Sequence, residues 1–152
     1  MKKIIVTLLL SVIVYAGFSQ DVFFHPVEKR SAITIGILQG GGGLVGADVE
    51  CLLTKRMGIQ FGAGLFSFGA GLNYHFKPSI RSSFVTVQYW HQGFGDAFAQ
   101  SAIGPSFVYR SKKWFTCQLG LGLPLEIGPA MPSDYEKPPV MLLYSIGAYI
   151  PF

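Results

Sequence analysis

Charge is what this chain has least of. Only 13% of its 152 residues are Asp, Glu, Lys or Arg, where a typical soluble domain carries about 25%. A water-facing surface is normally covered by such residues, and here there are too few to cover one. Cysteine is scarcer still: Cys51 and Cys117, with scattered histidines, give no zinc-ligand spacing, and neither metal nor cofactor is expected. No Gly-Lys-Ser/Thr follows the glycine run at 40–43, so that run is not a phosphate cradle. It reads as a flexible hairpin loop, in which an Arg at Gly40 should cost little. No basic patch is interleaved with aromatics, which removes the case for nucleic acid.

The start of the chain is different in kind from the rest. Lys2 and Lys3 precede an apolar run from residue 4 to 14, and Gly17 and Ser19 are small residues two apart. A charged start, a short apolar stretch and a small-residue end make a secretory signal peptide, with cleavage expected after Ser19. The run is too short to cross a bilayer comfortably as a helix, which needs about 20 apolar residues. The expected organisation is a signal peptide at 1–19, an N-terminal periplasmic segment at 20–30 that includes His25, and one domain at 31–152. Loss of Lys2 and Lys3 lowers the formal charge from +4 to +2.

No helical periodicity is sustained after the first twenty residues. Instead the pattern has a period of two, the mark of strands whose faces see different surroundings. It predicts eight strands, at 31–39, 44–53, 57–66, 69–77, 82–91, 100–110, 114–123 and 140–152. Most approach the 9–11 residues that a tilted strand needs to span hydrocarbon. One face carries Ile33, Ile35 and Ile37, Val45, Val49 and Cys51, Phe61 and Leu65, Leu72, Tyr74 and Phe76, Phe107 and Tyr109, and Cys117, Leu119 and Leu121. The other is built mainly of Gly, Ser, Thr, Gln and Asn. The fifth strand is ambiguous, and Pro105 and Val108 break the pattern in the sixth.

The last strand alternates most clearly. Tyr144, Ile146, Ala148, Ile150 and Phe152 share one face, and the chain stops on the aromatic. The turns after the second, fourth and sixth strands are short and basic, while two of the connections on the other side, 92–99 and 124–139, are long. Together these features resemble small outer-membrane β-barrels of the OmpA/OmpX type. The resemblance implies an all-β fold, an eight-stranded antiparallel up-and-down transmembrane β-barrel after a cleaved signal peptide. It implies the outer membrane of a Gram-negative cell, lipid against the apolar face, and closure of every backbone hydrogen bond within the ring. It also implies that the alternating residues from Tyr144 to Phe152 are read by the barrel-assembly machinery.

The resemblance is architectural and does not choose among functions. The leading expectation is a non-enzymatic structural or surface-interaction (adhesin-like) role, with an extracellular partner meeting loops 92–99 and 124–139. A lipid-A-modifying hydrolase is the first alternative: His91, Asp96 and Ser101 lie near the outer rim, where a base, its orienting acid and a nucleophile would sit. The bland reading makes Trp90 and His91 part of an interfacial aromatic girdle. A narrow pore for small solutes is the second alternative. Cys51 and Cys117 both fall on the apolar face, on strands that are not neighbours in an eight-membered ring, and read as free thiols.

The lumen gives the sharpest expectation. Asp48, Glu50, His75, Lys77 and Arg110 should point inward toward the periplasmic half. A charge removed from water is tolerated when paired and hydrogen-bonded, so Glu50 should pair with Arg110 or Lys77, with Gln60, Gln88 and Gln118 filling the remaining hydrogen bonds. The rival reading has Lys77 and Arg110 snorkelling to headgroups from the rim.

Overall fold

The computed structural model describes residues 29–152; the expected signal peptide and cleavage site, His25 and most of the 20–30 segment lie outside them. Eight antiparallel strands run in sequence order: β1 (Ser31–Ile37), β2 (Val45–Leu52), β3 (Met57–Gly64), β4 (Ser67–His75), β5 (Phe84–Gln92), β6 (Gln100–Arg110), β7 (Phe115–Ile127) and β8 (Met141–Pro151). Each pairs with the next, and β1 pairs with β8, so the sheet is a closed barrel. Closure leaves no unpaired edge. At the seam Ala32 faces Pro151 and Ile37 faces Ile146.

The period-two pattern becomes two surfaces. Val49, Phe61, Leu72, Val87, Phe107, Leu119 and Ile146 are exposed on the outside, while Asp48, Glu50, Gln60, Asn73, Thr86, Gln88, Ser106, Gln118 and Ser145 are buried within. A small ring has little room inside, and polar side chains fill it with one another. In β5, where the sequence was ambiguous, Phe84, Thr86, Gln88 and Trp90 are buried and Val85 and Val87 are exposed. Trp90 therefore belongs to the interior, and the girdle reading of that residue is corrected. Cys51 and Cys117 are free thiols.

Most strand boundaries move by one to four residues, and two of the shifts change the long connections. Strand β7 runs on through Pro124 to Ile127, beyond the expected end at 123. Proline gives no ladder donor and is tolerated at bulges. Here Ser101 pairs with Glu126 and Ala102 with Pro124, so the register shifts by one residue at that point. Gln92 closes β5 rather than opening a loop. The corrected connections thus begin after Gln92 and after Ile127, and they are not independent. Gly128 donates its N–H to Ala99 at 2.7 Å and Ala130 to Phe98 at 3.0 Å, which ties the two loops into one projection.

The barrel has a termini end, where β1 starts and β8 stops, and a loop end. The turn between β4 and β5 closes part of the first. Ile80, the one large apolar residue of this turn that is buried, packs against Ala32 and Leu52. The loop end is packed by Trp90, Ala102 and Leu143, with Met141 against them.

Candidate functional site

The interior is the one place where polar groups are gathered and shielded, and it is filled from both ends. At the loop end the chain after β1 turns inward. Residues Gln39–Gly42 form a tight turn whose members are all buried. Gly40, Gly41 and Gly42 have φ of 65°, 82° and 86°, a left-handed region open to glycine at little cost. This corrects the reading of 40–43 as a flexible loop, and with it the expectation that Arg at Gly40 would be harmless.

The turn is bolted to three strands. Gly40 N–H donates to Asp48 Oδ2 at 3.0 Å, Ser67 Oγ donates to the Gly40 carbonyl at 2.7 Å, and Gln92 Nε2 donates to the Gly42 carbonyl at 2.9 Å. Space for it comes from the wall. A Cβ on Gly62 would meet the Asp48 carboxylate and the Gly40 backbone, one on Gly46 the Gln39 carbonyl, and one on Gly69 the Gly41 backbone. Glycine on the inner face of β2, β3 and β4 leaves a groove for a passing main chain.

Toward the termini end side chains take over. Glu50 stands on β2 and Arg110 on β6, four strands apart in a ring of eight and so on opposite walls. Their side chains meet across the interior, Arg110 Nη1 lying 2.7 Å from Glu50 Oε2. The other carboxylate oxygen is 2.8 Å from His75 Nε2 and accepts from the Asn73 amide at 2.5 Å. Asn73 also donates to Gln60 Oε1 at 3.1 Å. Arg110 donates to the Ile80 carbonyl at 2.5 Å, and its guanidinium lies between the rings of Phe84, at 4.9 Å, and Tyr149, at 4.7 Å. The Tyr149 hydroxyl donates to the Ser111 carbonyl. A buried ion pair offsets its desolvation only when the remaining valences are met, and these neighbours meet part of them: Arg110 Nε, Asn73 Oδ1 and His75 Nδ1 are buried without a hydrogen-bond partner among the described residues.

Four members of the expected network sit elsewhere. Lys77 is exposed on the β4–β5 turn, because His75 is the last residue of β4 and the chain has left the wall by then. Asp48 holds the glycine turn rather than a basic group. Gln88 and Gln118 form a second cluster, with Gln118 Nε2 donating to Gln88 Oε1 at 2.6 Å. Trp90 Nε1 donates to the same oxygen at 3.1 Å, and Ser145 Oγ to Gln118 Oε1 at 3.4 Å. No hydrogen bond among the described residues joins either glutamine to Glu50. Phe84, Ile80 and Tyr149 were missed from sequence, and Asn73, though on the polar face by alternation, was not placed in the network; Ile80, apolar in a turn, also gave a signal that could have been read.

The His91 set assembles only in part. The ring faces Tyr89, whose hydroxyl is 3.1 Å from His91 Nδ1, and it stacks on Phe68 and Phe98, each at 4.6 Å between centroids. Ser101 is the cross-strand partner of His91 in the β5–β6 ladder, but Asp96 is exposed, and no side-chain hydrogen bond among the described residues links His91 to Asp96 or Ser101. Tyr144, Ile146, Ile150 and Phe152 are exposed on the outer face of the last strand, and Ala148 is half-buried in the same row. Comparison with protein-family models, curated proteins and solved structures gives no match for this chain.

Proposed function

We propose that this protein is an integral outer-membrane β-barrel with a plugged lumen, whose role is structural or lies in surface contacts made by its joined loops. The observation that carries the reading is the inversion of its two surfaces: apolar and aromatic side chains outside, hydrogen-bonded polar ones inside. In water that outer face would be an apolar patch running around the whole barrel, far beyond what soluble monomers expose. In hydrocarbon it is the ordinary lipid-facing surface of a spanning barrel. The plug favours a structural or contact role over a pore, because the Glu50–Arg110 pair crosses the interior and the glycine turn occupies its other end. The tying of the 5–6 loop to the 7–8 loop supports a contact surface that is held in shape.

Arginine scanning in lipid tests the reading. Val49→Arg and Leu119→Arg should each cost about 2–4 kcal/mol when the barrel is unfolded from lipid vesicles, while Arg at Gly95, an exposed position with open space around it, should cost less. Equal tolerance at the three sites overturns the lipid-facing assignment. Conductance in planar bilayers should stay at the background of protein-free membranes, and a steady open channel would replace the plug with a pore.

A further inference from the structure

The charges outside the lumen are divided between the two ends. Lys29, Arg30, Lys55, Arg56, Lys77, Arg81, Lys112 and Lys113 all lie at the termini end, before β1 or on the turns after β2, β4 and β6. No Asp or Glu side chain among the described residues shares that rim. The acidic residues Asp96, Glu126, Asp134 and Glu136 belong to the loop end, with Lys137 the one Lys or Arg beside them among the described residues. Within the basic rim the charges are drawn together. Arg81 Nη1 donates to the carbonyls of Lys112 and Lys113 at 3.4 and 3.3 Å, which fastens the β4–β5 turn to the β6–β7 turn. Three basic residues are thus brought to one stretch of the rim, and like charges gathered there repel unless an anion lies among them. Directly beside them Trp114 is 60% exposed, and Phe76 also faces outward.

We infer that this rim binds the anionic headgroups of phospholipids in the leaflet on the termini side, most densely at Arg81, Lys112 and Lys113. The inference rests on the bilayer reading above and adds a lipid preference to it. An anion alone would satisfy the cations. The adjoining apolar belt and Trp114 call for a ligand with an anionic head and a hydrocarbon body, and a phospholipid has both. Lysine and arginine stems can lie along apolar surface while their heads reach phosphate, and arginine is matched to phosphate by its planar donors. The acidic loop end presents no such site, so the preference belongs to one leaflet.

The two tryptophans make the test direct. Trp90 is buried in the lumen and Trp114 is exposed at the rim, so the Trp114 signal is the fluorescence difference between the full chain and its W114F variant. The protein is folded into phosphatidylcholine vesicles containing a minor share of phosphatidylglycerol, with bromine on the acyl chains of one lipid or the other. At low salt the brominated anionic lipid should quench Trp114 as if enriched about fivefold over its bulk share, the factor that one basic residue near an anionic surface supplies. The enrichment should vanish in about 1 M salt, where the screening length falls to about 3 Å. It should also fall in the exposed triple variant R81Q/K112Q/K113Q, checked for folding by heat-modifiable mobility. Quenching by both lipids in proportion to their bulk shares overturns the rim inference and leaves the bilayer reading standing. Quenching by neither, with the barrel folded, overturns both.

Discussion

The two ends of the lumen are closed by different materials. At the loop end a main-chain turn fills the space, and at the termini end charged and amide side chains do. The difference lies in what each demands of the wall. A backbone turn carries its own donors and acceptors and needs bare walls, which Gly46, Gly62 and Gly69 supply. A carboxylate and a guanidinium need charged and polar partners, of which His75, Asn73 and the Ile80 carbonyl supply some. One ring thus holds a part that fails by crowding and a part that fails by losing a partner.

The largest effect should come from the charged end. Glu50→Gln or Arg110→Gln leaves the other group buried without its counter-charge, and each should cost about 3–5 kcal/mol in urea unfolding from detergent or lipid. In the double variant the loss should fall well short of the sum, since partners in one network do not add. Additive losses would show that the two groups are not energetically coupled, and the contrast between the ends would lose its basis.

Crowding should come next. Gly41→Ala places a methyl against the Phe68 carbonyl at φ 82°, and should cost about 1–3 kcal/mol for a strained left-handed residue, toward the upper figure because of the clash. Gly95→Ala is the matched control: its φ is 56° and nothing stands within 4 Å of the new atom, so it should lose less in the same assay. Equal losses would mean that the turn is not packed against the wall.

The smallest effect sharpens the comparison by locality. Ser67→Ala removes one donor to the Gly40 carbonyl, and a hydrogen bond of this kind contributes about 1 kcal/mol net. The loss should appear as faster amide exchange at Gly40, whose N–H is bonded to Asp48, with little change at β6 and β7. Rapid exchange at Gly40 already in the wild type would show that the turn is not held in place.

The strands were legible because alternation is written locally: the run from Tyr144 to Phe152 reads the same in the sequence as in β8. The lumen was legible only in part. Glu50 was expected to pair with Arg110 or Lys77, since burial leaves such groups few choices, and the end of β4 at His75 takes Lys77 off the wall. Which of the inward glutamines joined them depended on register and ring position, which periodicity does not encode; Gln60 reached the cluster through Asn73, and Gln88 and Gln118 did not. The glycine turn was misread because glycine permits both a loose loop and a tight buried one. Its signature was two-part, a run at 40–43 and a bare patch of inward glycines on the three following strands, and only the fold brings the parts together. Pro124 hid the end of β7 for the opposite reason, since a residue that usually stops a strand sits here at a bulge.

The seam between β1 and β8 joins the first described strand to the last. Every other pairing in the ring is between strands adjacent along the chain, and could form as soon as its hairpin exists. This one must wait for Pro151, and contacts so distant along the chain are the slow ones to make. Until it forms, both edge strands present open hydrogen-bonding groups beside apolar side chains, the condition in which chains stick to one another. The seam is therefore a timing device: it delays completion of the barrel to the final strand, and the cell has to shelter the unfinished chain for all of that interval.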